Sequence, residues 1–168
     1  FPDTYFFLPT VSSTQVIQAF EENFDTKLES VKAEIDASGN TVHDIITMAS
    51  IIEKEVRSLE DKKLVSGVLW KRLDNDMRLQ VDATVVYVRE RNYKKVLIDQ
   101  TKIESPYNTY RVGGLPLGPI SNPGTESIRA SLEPKESPYW FYLSPNLHTT
   151  IFSKTFDQHK AAKARYLQ

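Results

Sequence analysis

The sequence predicts an α+β fold: a mainly helical single domain over residues 1–168, with a small antiparallel sheet and one long ordered Pro/Gly loop. Three observations carry this prediction. Apolar residues recur at helical spacing through much of the first half of the chain. Two short runs, "YWFYL" (139–143) and "TTIFS" (149–153), read as strands paired across the turn "SPNLH". Residues 104–124, "ESPYNTYRVGGLPLGPISNPG", hold four Gly and four Pro in 21 positions, a density that no regular element survives.

The elements follow in order. Residues 1–11 are aromatic and extended, punctuated by Pro2 and Pro9. Residues 12–35 read as one helix, because Val16, Ile17, Phe20, Phe24, Leu28, Val31 and Ile35 keep helical spacing. Ser12 or Ser13 can cap it, and "ASGN" closes it. A second helix is expected from Thr41 to Arg57, and a third from Leu59 or Glu60 to Leu73. The stretch "NDMRLQVDATVVYVRERN" is ambiguous: "MRLQV" can form a short strand, and Asp82 can cap a helix starting at Ala83, the preferred reading over continued strand. Loops as long as 104–124 are functional or disordered in compact domains. Tyr107, Tyr110, Leu115, Leu117 and Ile120 supply anchors that favour order. "TESIRASL" reads as a short helix and "TFDQHKAAKARYL" as a last one, with Thr155 and Gln158 at capping-box spacing. Trp70 and Trp140 are expected in the core rather than as exposed stacking platforms.

The bulk numbers exclude several classes. A chain of 168 residues buries roughly 70% of its unfolded surface, enough for a core without staples. Net charge is −1, which argues against a nucleic-acid partner, since phosphate binding needs a basic excess. The run Arg89, Arg91, Lys94, Lys95 reads as a solvated face. There are no cysteines, so disulfides and thiolate metal sites are impossible. His43, His148 and His159 have no metal-ligand spacing. No nucleophile-elbow or Walker signature occurs, and no apolar run is long enough to span a membrane.

What remains is carboxylate chemistry. The helix expected over 41–57 is apolar, yet it carries Glu53 and Glu55 in its last turns. On a helical wheel Glu53 falls within the stripe of Val42, Ile45, Ile46, Ala49, Ile52 and Val56. Glu55 falls on a narrower face with Asp44, Met48, Ile51 and Leu59. A carboxyl against apolar surface loses hydration, its pKa rises, and it can serve as a general acid. The alternative is structural: Glu53 buried against Arg72 or Arg78, and Glu55 an ordinary exposed glutamate near Lys54 or Arg57. The wheel favours Glu53 as the buried acid and does not by itself choose a catalyst. An acid among Tyr, Asn and Gln suits a sugar, whose rings stack on aromatic faces while amides and carboxylates bond its hydroxyls.

The ordered set "FPDTY", "MASIIEKE", "GVLWKRL", "MRLQVDATVVY", "SPYNTY", "GLPLGPISNPG", "YWFYL" and "FSKT…H" resembles the MltG/YceG-like endolytic murein transglycosylases across essentially the whole chain. The resemblance implies a YceG-like catalytic domain with Glu55, the second glutamate of the E-K-E motif, as catalytic acid and Glu53 in a supporting role. It further implies substrate contacts from Glu53, Gln80, Asp82, Tyr107, Asn108, Thr109, Tyr110 and Asn122, with no metal and no cofactor. The family's "RLQTDPTV" reads "RLQVDATV" here, its "GLPPGPI" reads "GLPLGPI", and "NLHTTIF" replaces its "GGHxF" segment around His148.

The implied reaction is non-hydrolytic cleavage of the MurNAc-β-1,4-GlcNAc bond of peptidoglycan glycan strands, leaving 1,6-anhydroMurNAc ends and terminating nascent strands. The implied partners are glycan strands and peptidoglycan synthases. The implied location is the extracytoplasmic face of the bacterial cytoplasmic membrane, through a single-pass anchor and a LysM-like module expected before Phe1. The rivals are a muramidase using the same groove and a non-catalytic wall-binding scaffold.

Overall fold

The computed structural model describes residues 1–89, 98–146 and 148–167. Among these, the helices are α1 (Ser13–Glu29), α2 (Lys32–Ser38), α3 (Val42–Glu55), α4 (Leu59–Asp74), α5 (Asp82–Val88), α6 (Thr125–Leu132) and α7 (Phe156–Tyr166). A short 3-10 turn covers Ile98–Lys102, and β1 (Phe141–Asn146) pairs antiparallel with β2 (Thr149–Ser153). The predicted class, mainly helical with a two-stranded sheet, is what the chain adopts.

Capping chemistry sets most of the boundaries. Ser12 closes a capping box with Gln15 at the start of α1, and Thr41 closes one with Asp44 at the start of α3. Ser58 accepts from the Asp61 N–H to begin α4. At α7 the Thr155 hydroxyl accepts from the Gln158 N–H, while the Gln158 side chain accepts from the Lys154 N–H rather than from Thr155.

Three expectations change. The single helix over 12–35 is two helices, broken at Ser30 and Val31. The Ser30 hydroxyl donates to the Lys27 carbonyl, and Val31 leaves helical geometry at φ −129° and ψ 11°. Val31 and Ile35 are buried, so the turn aims them into the core, on which Phe24 and Leu28 of α1 pack while Ile17 and Phe20 stay exposed. "MRLQV" forms no strand, since Gln80 within it takes a left-handed backbone, and Asp82 is the first residue of α5, with Val81 as its cap. The hairpin pairing is irregular between Leu143 and Asn146, where Pro145 has no N–H to donate. Of the basic run, Arg91, Lys94 and Lys95 lie outside the described residues.

Two apolar clusters hold the fold. The larger joins Met48, Ile51 and Ile52 of α3 to Val65 and Leu69 of α4, with Leu79, Val81 and Ile120 from the intervening segments. Tyr142 and Phe152 bring the hairpin onto this cluster. The second sets Ile45, Ile46 and Ala49 against Val31, Ile35 and Ile128. Trp70 packs on both and donates its ring N–H to the Ser131 carbonyl at 2.9 Å.

The long loop has no regular element and is tied down by specific bonds. The Ile120 N–H donates to the Ser50 hydroxyl at 3.0 Å, and the Ser121 hydroxyl donates to the Ser50 carbonyl at 2.9 Å. Tyr107, Leu115 and Ile120 act as the expected anchors, whereas Leu117 is exposed.

Candidate active site

Helix α3 ends at Glu55 because Val56 turns to φ −147° and ψ 162°. Glu55 thus stands at the open end of the helix, on a cleft of about 1330 Å³. One wall of the cleft comes from Gln80, Asp82 and Ala83 together with Tyr110 of the long loop. The opposite wall is the hairpin, with Phe141 and Tyr142, backed by α7 with His159.

Burial pushes the Glu55 carboxyl up from its ordinary 4.5 to about 7, with the negative charge of Asp82 acting in the same direction. Hydrogen bonds from the Tyr142 hydroxyl and the Ala83 N–H oppose the rise without cancelling it. The Ala83 N–H is a first-turn donor of α5, one of those a helix leaves without an internal partner. Val81, the N-cap, offers no side-chain bond, and the Glu55 carboxyl at the end of α3 fills that place. The carboxyl also sits at the negative end of the α3 dipole, which disfavours its charged form.

Neighbouring groups are fixed around it. The Tyr110 hydroxyl donates to Asp82 Oδ1 at 2.5 Å. Tyr142 is pushed well above the ordinary tyrosine range by burial and by the nearby Glu55 carboxyl, so it remains a donor. Arg72, buried, gives Nε and Nη2 to the Trp140 carbonyl at 2.9 and 2.7 Å and Nη1 to the Leu79 carbonyl at 2.5 Å. It spans the cleft floor from α4 to the start of the hairpin, with its guanidinium 5.2 Å over the Phe141 ring.

Gln80 has φ +52°, a left-handed backbone that costs a non-glycine residue of order 1–3 kcal/mol. The surrounding bonds hold it there. Its N–H donates to the Thr109 carbonyl at 3.1 Å, and the next N–H, of Val81, donates to Thr109 Oγ1 at 2.9 Å. Thr84 Oγ1 completes the buried group, 2.9 Å from Thr109 Oγ1 and 2.7 Å from the Val81 carbonyl. This is how the "YNTY" segment of the loop aims the "RLQVD" segment at the cleft.

The residues singled out from the sequence therefore separate. Glu55, Gln80, Asp82 and Tyr110 line the cleft together. Thr109 lies beneath it, fully buried. Asn108 is also fully buried and braces the loop, giving Nδ2 to the carbonyls of Thr101 and Ile103 and accepting from the Tyr110 N–H. Tyr107 packs against Tyr87 with ring centroids 4.9 Å apart, and Asn122 is exposed away from the lining residues.

Glu53 also faces away. It accepts from the Ser127 hydroxyl at 2.5 Å and the Gly124 N–H at 3.2 Å, with Lys62 at 3.7 Å. The two bonds and the Lys62 charge outweigh partial burial and lower its pKa. Neither Arg72 nor Arg78 pairs with it: Arg72 serves carbonyls, and Arg78 donates to the Tyr110 carbonyl. The wheel's preference is reversed, since Glu55 carries the more desolvated carboxyl. Tyr142, His159, Lys160 and Lys163 also line the cleft, and the motifs above do not single them out. The spacing of the last three at i, i+1 and i+4 along one helix was the available signal.

Comparison with known proteins gives a consistent answer. The YceG-like family profile matches residues 1–165. An endolytic murein transglycosylase from Bacillus subtilis (strain 168) is 36% identical over 168 residues, covering 99% of this chain and 47% of that protein. A protein of the same name from Streptococcus pneumoniae serotype 2 (strain D39) is 30% identical over 149 residues, covering 86% of this chain and 27% of that one. The chain thus spans half or less of the length of these relatives. The crystal structure of a yceG-like protein from Listeria monocytogenes superposes with a TM-score of 0.89 at 39% identity, over 96% of this chain and 52% of that chain.

Proposed function

The chain belongs to the YceG-like family, and from that premise we propose that it is the catalytic part of an endolytic lytic transglycosylase acting on peptidoglycan glycan strands. One observation carries the proposal: the Glu55 carboxyl opens on a sugar-sized cleft and titrates at about 7, so near neutrality a large share of molecules hold the proton that a general acid must deliver.

In the reaction, protonated Glu55 donates to the glycosidic oxygen between MurNAc and GlcNAc as the C1–O bond breaks. The carboxylate so formed takes the proton of the MurNAc C6 hydroxyl. That oxygen bonds to C1, closing the 1,6-anhydro ring and returning Glu55 to its protonated state. One carboxyl thereby serves as acid and then as base. Tyr142 and the Ala83 N–H stabilise the charged intermediate stage, because both donate to the carboxylate. Gln80 and the Asp82–Tyr110 pair are placed to orient the sugar. Thr109, Asn108 and Tyr107 act indirectly by fixing the loop, and Glu53 by fixing the end of α3 against α6.

A second reading, hydrolysis, is favoured by Asp82. It is another carboxylate in the same cleft, and ordinary glycosidases use two. The products decide. Mass spectrometry of digested strands gives anhydro ends for the transglycosylase and reducing ends for a muramidase. Glu55→Gln abolishes either reaction by about 10²- to 10⁴-fold, the worth of general acid–base assistance. Full activity in that variant refutes both.

The setting proposed for the whole protein is the outer face of the cytoplasmic membrane, beside peptidoglycan synthases, with the membrane anchor supplied by sequence outside this chain. No described helix is long and apolar enough to cross a membrane.

A further inference from the structure

Helix α7 is unusual in what it faces. None of its residues is buried, and it packs on β1 and β2. Phe156, His159, Lys160, Lys163, Tyr166 and Leu167 all line the cleft. That spacing is one continuous helical face, so the face α7 offers is turned to the cleft rather than to a core. Its chemistry combines aromatic rings at both ends with the two lysines between them. The His159 ring stacks on Phe141 at 5.5 Å, and burial, with the charges of Lys163 and Arg72, lowers its pKa.

The charge balance of the cleft runs against that of the chain. Lys54, Arg72, Lys160 and Lys163 line it against the carboxyls of Glu55 and Asp82, in a protein of net charge −1. Arg72 is committed to backbone carbonyls. Lys160 shares an exposed i,i+3 pair with Asp157 at 2.8 Å, an arrangement that contributes little and exchanges readily. Lys163 has no carboxylate partner among the described residues. A cleft for an uncharged sugar chain has no use for unneutralised lysines, whereas a positive cleft on an acidic protein concentrates anions.

We propose that the cationic face of α7, centred on Lys163 with Lys160, is a subsite for carboxylates carried by the glycan substrate, so that strands bearing acidic substituents are selected over neutral ones. This rests on the transglycosylase reading and specifies the substrate of the same cleft. Carboxylates reach it from two sources, the stem peptides and the lactyl group left when those peptides are removed.

Binding tests the inference apart from catalysis. The Glu55→Gln protein is titrated with soluble glycan strands in three forms: with stem peptides intact, stripped by an amidase so that only lactyl carboxylates remain, and with all carboxyls converted to methylamides. At low salt the intact strands are expected to bind roughly tenfold more tightly than the methylamides, a preference that falls with added salt. Lys163→Gln with Lys160→Gln is expected to remove most of it. Retention of the preference by stripped strands assigns the lactyl group, and its loss assigns the stem peptide. Equal affinity for carboxylate and methylamide strands, or an undiminished preference in the double variant, overturns the proposal. Cleavage by the wild-type protein is scored separately. Cleavage without discrimination overturns the subsite and leaves the activity standing; discrimination without cleavage does the reverse.

Discussion

Replacing Glu55 with Gln is expected to make the protein more stable at pH 8 while abolishing its activity. In the folded chain the carboxyl titrates at about 7 against an ordinary 4.5. The folded state therefore holds more protons than the unfolded state between those values, and stability falls as pH rises through that window. Below about pH 4.5 the group contributes fully; above about pH 7 its contribution is gone. At 1.36 kcal/mol per pH unit the gap corresponds to roughly 3 kcal/mol, and the partial exposure of the side chain along the cleft reduces it to about 2. Gln keeps the shape and carries no charge. The difference in urea midpoint between variant and wild type, at unchanged slope, should be small at pH 5 and grow to the equivalent of about 2 kcal/mol at pH 8. A difference that stays constant from pH 5 to pH 8 would refute the assignment of Glu55 as the desolvated acid.

Other perturbations reach separate parts of the fold. Asp82→Asn removes a negative charge that raises the Glu55 pKa, so the loss of activity with rising pH should begin at lower pH than in the wild type, as seen in a pH profile of kcat/KM. Thr109→Val removes the hydroxyl that holds the Val81 N–H and Thr84, leaving a buried donor unpaired; denaturation should show a loss of about 1–3 kcal/mol, with a lower kcat. Gly67→Ala puts a Cβ 2.1 Å from the Lys135 backbone oxygen, so α4 and the segment after α6 must separate, and thermal unfolding should report a loss of about 1–3 kcal/mol.

The parts legible in the sequence are those decided locally. Ser12, Thr41 and Ser58 cap helices because their side chains reach N–H groups three residues on. The Pro/Gly loop was readable because its composition forbids alternatives. The break at Ser30–Val31 was not, since the apolar spacing continues through it and only packing of Val31 and Ile35 shows the turn. The choice between Glu53 and Glu55 was hidden for a similar reason. A wheel records neighbours on the same helix, whereas the groups that set the Glu55 pKa, Tyr142, Asp82 and Ala83, arrive from other elements. The partners that hold Glu53, Ser127 and Gly124, are more than seventy residues away in the chain. Resemblance names Glu55 where periodicity leans the other way, and of the two acids it is Glu55 whose carboxyl pKa is raised by burial while that of Glu53 is lowered.

The cleft is assembled from two parts of the chain with different duties. One flank, the end of α3 with α5 and the loop, is locked by buried hydroxyls and a strained Gln80 that tolerate little change. The other, α7 riding on the hairpin, buries no residue of its own helix and can exchange side chains at small cost to folding. A substitution on this one surface helix therefore reshapes one wall of the cleft and leaves the Thr109 and Thr84 bonds behind the other wall as they are.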